Sequence, residues 1–258
     1  MAENETVEER RSPDSLGWLV DADESVSGYV AESRSLALSL VLIAPLLVAY
    51  EVVLIHSRPV GARRWIGWLL FRLFSARGVI VLNVVVLLAF LLAVVILARR
   101  GRLNLSLTGW VVVESMGWAV LLVVGGVALY RRLSALPLES VAGRFPVHLK
   151  IMGAVGAGIY EELLFRLILA SALYLIAHDL FRGSRLGAGL FAIVVSAVMF
   201  AGSHVLALGL RPVDTPRDLL DTGFHLLSGL LFGALYVYRG LGIAVYTHVI
   251  YNLFVKLV

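Results

Sequence analysis

Two adjacent carboxylates interrupt an apolar segment and are the first candidates for chemistry. Glu161 and Glu162 are followed by Arg166, and each charge would cost roughly 2.5 to more than 10 kcal/mol if it faced lipid at the bilayer centre. Glu162 and Arg166 are four residues apart, in the order that favours an ion pair on one helix face. Glu161 points about 100° away from Glu162 and has no such partner in its own helix. We therefore expect Glu161 to be the carboxylate that is left for function.

Two further apolar segments carry histidines. His204 follows Phe200 by one helical turn, so that the phenyl ring can form a wall beside the imidazole. His248 precedes Asn252 by one turn, and both side chains project from the same face. Each pair is ambiguous by itself, because His and Asn also join helices to one another in membranes.

The depths of these residues along their helices agree. With a rise of 1.5 Å per residue, Glu161 lies about 15 Å, His204 about 10 Å, His248 about 15 Å and Asn252 about 9 Å from the same side of the membrane. The last two values assume that the segment near residues 222–238 crosses the bilayer once. Scattered structural residues need not converge in this way, so we expect one site built from three helices.

The elements that must position this site are predicted from composition. The 258 residues are 60% hydrophobic and 16% charged, with a mean hydropathy of +0.90, which is typical of membrane proteins. We predict an all-α polytopic membrane bundle of about seven transmembrane helices, in which either of the last two segments could be re-entrant or tilted. The apolar segments are about 36–55, 79–98, 110–130, 151–177, 186–210, 222–238 and 242–258.

The chain divides into three regions. Residues 1–35 hold nine of the 18 acids and predict a disordered tail. Residues 36–149 form an accessory transmembrane region, in which arginines interrupt a Trp/Leu/Phe set at 61–77 and predict an interfacial amphipathic helix. Polar and small residues enter the helices from residue 150 onward, so we place the working domain at 150–258.

Charge and cysteine content restrict the partners and the chemistry. The net charge of +4 comes from arginines that flank the spans and suits anionic lipid headgroups better than nucleic acid. The lack of cysteine excludes disulfides, thiolate metal sites and a cysteine nucleophile. Lysine and arginine are more numerous on the side nearer the expected site. We therefore expect a multi-pass protein of the cell membrane with a site that opens to the cytoplasm.

Three motifs together resemble those of a known family. Residues 161–166, EELLFR, match EExxxR; residues 200–204 match FxxxH; and residues 248–252 match HxxxN. In this order, each on its own hydrophobic helix, residues 150–258 resemble the CPBP (CAAX protease and bacteriocin-processing enzyme, Abi) family of intramembrane proteases. The family includes the type II CAAX prenyl endopeptidase, which removes the last three residues of prenylated proteins.

The resemblance implies an intramembrane endopeptidase that acts on a membrane-anchored or lipidated, CAAX-like peptide. By similarity, Glu161 and His204 would hold and activate a water molecule. His248 and Asn252 would donate hydrogen bonds to the developing oxyanion. The supporting residues would be Glu162, Arg166 and Phe200.

Other interpretations stay open. Glu161, His204 and His248 are a sufficient set for a catalytic zinc ion, although the lack of HExxH and the presence of Asn252 favour hydrolysis without a cofactor. A protein that keeps this fold could also serve as a non-catalytic bacteriocin-immunity or scaffold protein. Paired acids and histidines also build the proton relays of carriers, but the chain shows no repeat halves.

Overall fold

Every regular element in the part of the chain that the structure describes is helical. The computed structural model describes residues 28–56, 84–85, 87–96, 99, 105–133, 146–207 and 215–257. The helices are α1 (Gly28–Ser33), α2 (Leu36–His56), α3 (Leu87–Ile96), α4 (Thr108–Leu133), α5 (Val147–Leu180), α6 (Arg185–Ala207), α7 (Pro216–Arg239) and α8 (Leu241–Leu257).

The predicted all-α polytopic membrane bundle is confirmed. Helices α2, α4, α5, α6 and α7 are long and apolar enough to cross a bilayer, whereas α3 and α8 are shorter apolar helices. Each of the seven predicted apolar segments overlaps one of these helices. The predicted interfacial helix at 61–77 lies outside the described residues, as does the tail up to residue 27. The tail was expected to extend to residue 35, but Gly28–Ser33 form α1.

Helix α7 is longer than the apolar segment that predicted it. Its 24 residues begin at Pro216, ahead of the expected start near residue 222. The Thr215 side chain accepts a hydrogen bond of 3.1 Å from the Asp218 N–H, which caps the first turn, and proline is favoured at this first helical position. A helix of this length is sufficient for the single crossing that the depth comparison assumed.

Helix α5 changes its winding directly after the paired acids. An α-helical part ends at Glu162, and residues Leu163–Ala170 are wound as a π-helix, followed by a second π-helical stretch at Ile176–Leu180. Such wide turns are rare and occur frequently at functional sites. The first π-helical stretch therefore begins next to the two acids and carries Arg166.

The short helix α8 lies at the centre of the bundle. It packs against α2, α4, α5 and α7, and most of its first nine residues are buried. Helices α2 and α4, from the accessory region, thus form part of the wall around the working domain.

Two acids in the accessory helices pair with residues of the working domain. Glu51 is buried on α2 and accepts a hydrogen bond from Tyr160 of α5. Glu114 on α4 accepts two hydrogen bonds of 2.6 Å from Arg239 at the end of α7, and one of 2.7 Å from Tyr29 of α1. These pairings give both acids partners inside the bundle.

Candidate active site

Arg166 forms the ion pair expected from its spacing with Glu162. Both side chains are fully buried, and Arg166 Nε lies 3.1 Å from Glu162 Oε2. Arg166 Nη2 also donates a hydrogen bond of 3.0 Å to the Gly229 carbonyl of α7. The guanidinium carbon lies 4.6 Å from the centre of the Phe200 ring and 5.4 Å from that of Phe232, so two aromatic faces stabilise the cation.

Glu161 faces two imidazoles from different helices. Its Oε2 atom lies 3.9 Å from His204 Nε2 of α6 and 3.8 Å from His248 Nε2 of α8. The structure thus brings together three of the four residues that the depth comparison placed at one level. The acid is 8% exposed, so the group lies inside the bundle with limited access.

His248 is held by Glu162 as well as by packing. Its Nδ1 atom lies 2.7 Å from Glu162 Oε1, and its ring stacks on Phe232 with the centroids 4.5 Å apart. Because Nδ1–H donates to the carboxylate, Nε2 is the atom directed to Glu161. Glu162 therefore binds two partners, Arg166 and His248, where the sequence predicted only Arg166.

His204 is the more accessible of the two imidazoles. Its side chain is 27% exposed, against 5% for His248. The Nδ1–H group donates a hydrogen bond of 3.0 Å to the Phe200 carbonyl, and the Phe200 ring lies 4.7 Å from the imidazole, as a wall of the kind expected from the spacing. This bond leaves Nε2 of the neutral ring as an acceptor that faces Glu161.

Asn252 makes its described hydrogen bond outside this group. Its Nδ2 atom donates to the Ala154 carbonyl of α5 at 3.4 Å. One N–H of the amide thus ties α8 to α5 at a point seven residues before Glu161. The oxyanion role of Asn252 stays a prediction that depends on its second N–H.

Two aromatic neighbours were missed or undervalued from the sequence. Phe232 lies in an apolar run and gives no signal of its own. His225 is not among the predicted site residues, but its ring stacks on that of His204 with the centroids 4.0 Å apart. The available signal was its spacing from Gly229 and Gly233, which puts all three on one face of α7.

The zinc alternative can be compared with the positions of its ligands. Carboxylate and imidazole are suitable donors for zinc. Among the described residues, however, no three His, Asp or Glu side chains are placed to hold a metal ion, and this includes the set of Glu161, His204 and His248. Hydrolysis without a cofactor stays a prediction.

The comparison with known protein families finds one match. Residues 144–254 match the family model described as Type II CAAX prenyl endopeptidase Rce1-like. The matched segment includes α5, α6, α7 and most of α8, which carry all of the candidate residues. Comparisons with curated proteins and with solved structures find no match.

Proposed function

We propose that this membrane protein is an intramembrane endopeptidase of glutamate type, because residues 144–254 match the family model described as Type II CAAX prenyl endopeptidase Rce1-like. Its substrate would be a membrane-anchored or lipidated peptide with a CAAX-like end. The observation that carries the proposal is the Glu161 carboxylate, which faces the Nε2 atoms of two imidazoles inside the bundle. A buried carboxylate beside two imidazoles has the composition of a general acid–base site.

In the first step, Glu161 and His204 activate a water molecule. The separation of 3.9 Å between Glu161 Oε2 and His204 Nε2 is too long for a direct hydrogen bond, and a water molecule can bridge the two acceptors. The water oxygen attacks the scissile carbonyl carbon while its proton moves to Glu161. This proton then passes to the leaving amine as the C–N bond breaks, which returns Glu161 to its carboxylate form.

The negative charge that develops on the carbonyl oxygen requires a donor. His248 donates through Nε2–H when its ring carries both protons, while its Nδ1–H is bound to Glu162. The second N–H of Asn252 supplies another donor. One such donor is worth about 2.7–4 kcal/mol of transition-state stabilisation in other hydrolases.

The side of the membrane follows from the charges at the helix ends. Helix α5 begins near Lys150, and α8 ends near Lys256, which donates a hydrogen bond of 3.0 Å to the Gly153 carbonyl. Both lysines lie at the ends of α5 and α8 from which the depths of Glu161, His248 and Asn252 are counted. By the positive-inside rule, we place the opening of the site on the cytoplasmic side of the cell membrane.

The substitution Glu161→Gln tests the proposal directly. It keeps the size of the side chain and removes the base, so we expect peptide cleavage to fall by at least about 10²-fold. The measurement is mass spectrometry of the peptide released from a farnesylated CAAX peptide by the protein in proteoliposomes. The matched control is Glu51→Gln, another buried acid, whose amide oxygen can still accept the Tyr160 hydrogen bond. Full activity of the Glu161→Gln variant would contradict the proposed role.

Removal of metal ions separates the proposed mechanism from the zinc alternative. We expect full activity after dialysis against a strong chelator, because the proposed steps need only side chains and water. The same sample is analysed for zinc by elemental analysis. One zinc ion per chain, together with activity that chelation abolishes and zinc restores, would replace this mechanism by the metal-dependent one.

A further inference from the structure

The imidazole of His225 lies on the face of the imidazole of His204. The two ring centroids are 4.0 Å apart and the planes differ by 28°, which is a stacked arrangement between α7 and α6. We infer that His225 is a positioning residue that holds the His204 ring in the plane from which Nε2 faces Glu161. The inference deepens the proposed function and rests on it for its catalytic part.

The His225 ring is itself held by a hydrogen bond within α7. Its Nδ1–H donates a hydrogen bond of 2.6 Å to the Asp221 carbonyl one turn earlier on α7. The Asp221 side chain in turn accepts a hydrogen bond from Tyr130 of α4. The accessory helix α4 thus anchors the turn that carries His225.

Two glycines allow α7 to approach α6 closely enough for the stack. A methyl group at Gly229 would lie 3.2 Å from Ala197 and from the Phe200 ring, and one at Gly233 would lie 3.1 Å from Ile193. Both distances are tighter than ordinary van der Waals contact. The face of α7 formed by His225, Gly229 and Gly233 is therefore fitted to α6, and the stack follows from the separation of these helices.

His204 needs such support more than His248 does. Its side chain is the more exposed of the two, and its described hydrogen bonds, to the Phe200 carbonyl and to Ser203 Oγ, stay within its own helix. His248, in contrast, is held by a carboxylate of another helix and by a parallel aromatic ring. Rotation of the His204 ring about its last side-chain bond would turn Nε2 away from Glu161, and misplacement of a catalytic group lowers the rate of the chemical step.

Substitutions of His225 distinguish the effect of a stacked ring from the effect of a side chain that only fills space. His225→Phe keeps a ring, whereas His225→Leu and His225→Gln remove it, the second with retention of a polar group. We expect kcat for a farnesylated CAAX peptide to fall at least tenfold in the ringless variants and less than threefold in His225→Phe, with KM unchanged in all three. His178→Leu is the matched control, since His178 stacks on Tyr174 at the far end of α5. Equal loss in the Phe and Leu variants, or unchanged kcat in a folded ringless variant, would overturn the inference.

A spectroscopic measurement tests whether the rings of His225 and His204 stack, without reference to activity. The His204 ring protons are assigned in nanodiscs by histidine-selective labelling and by their loss in His204→Gln. We expect their ring-current shift to be kept in His225→Phe and lost in the ringless variants. A shift that does not respond to His225 would refute the positioning role even in an active enzyme. If the wild-type protein cleaves no lipidated peptide while the shift responds as expected, the proposed reaction fails and the placement of His204 by His225 stands.

Discussion

At the residue scale, Glu162 has one more partner than its spacing suggests. Its two oxygens are used separately, Oε2 by Arg166 and Oε1 by His248. An acid that only neutralised Arg166 would serve the helix alone. This acid joins α5 to α8 and sets which nitrogen of His248 is directed to Glu161, so it connects the stability of the bundle with the geometry of the site.

Loss of Arg166 should destabilise the protein strongly. The substitution Arg166→Met leaves the Glu162 carboxylate buried with only His248, and breaking a buried ion pair in this way costs about 3–5 kcal/mol. We expect the free energy of unfolding, measured by denaturant titration in mixed micelles, to fall by this amount. The double variant Glu162→Gln, Arg166→Met removes both charges and should recover part of the loss. A double variant that is less stable than the single one would show that the ion pair is not the source of the effect.

At the element scale, the approach of α5 to α8 depends on Gly158. A methyl group there would lie 2.5 Å from Val249 Cγ2, 2.8 Å from the Val249 backbone nitrogen and 2.9 Å from its Cα. The side chain of Val249 could rotate, but its backbone cannot move unless α8 moves. Because His248 is the preceding residue, any displacement of α8 changes the distances between His248 and the two acids.

The substitution Gly158→Ala should therefore reduce both stability and cleavage. Insertion of a methyl group into a close-packed interface costs about 1–3 kcal/mol, and here it would also separate Glu161 from His248. Thermal unfolding and peptide cleavage are measured on the same preparation. The matched control is Gly189→Ala on α6, where the added methyl group meets nothing within 4 Å. Alanine favours helices over glycine, so this control should be as stable as the wild type or slightly more so. Equal behaviour of the two variants would contradict the close approach.

At the scale of the whole molecule, the accessory region is joined to the working domain by polar contacts. Glu114 of α4 binds Arg239 through two hydrogen bonds and also accepts one from Tyr29 of α1. Arg239 immediately precedes Gly240, whose φ of 93° lies in the region that favours glycine and which turns the chain into α8. The accessory helices thereby fix the start of the central helix, which carries His248 and Asn252.

The hydrogen bond from Tyr29 to Glu114 makes the stability of the protein depend on pH. Burial, with a further contribution from the hydrogen bond to Glu114, raises the pKa of Tyr29 from 10.0 to about 12. The folded state thus favours the protonated phenol, and this contribution to stability is complete below pH 10 and is lost as the pH rises to about 12. We expect the wild type to be more stable than Tyr29→Phe at pH 9, and this difference to shrink between pH 10 and 12. A difference that stays constant over this range would mean that the pKa of Tyr29 is the same in the folded and unfolded states.

The sequence by itself predicted three residues that the structure brings together at the candidate site. Apolar segments of spanning length predicted the helices, because length and hydropathy are local properties. The spacing of Glu162 and Arg166 predicted their ion pair for the same reason, and residue counts from the helix ends brought Glu161, His204 and His248 to one level.

Only the tertiary structure decided which side chains meet across helices. The bond between Glu162 and His248, the stack of His225 on His204, and the hydrogen bond from Asn252 to Ala154 were not predicted. Each of them depends on the rotation of a helix about its own axis and on the distance to its neighbour. Both quantities are set by packing between residues far apart in sequence, such as Gly158 against Val249, and local spacing carries no information about them.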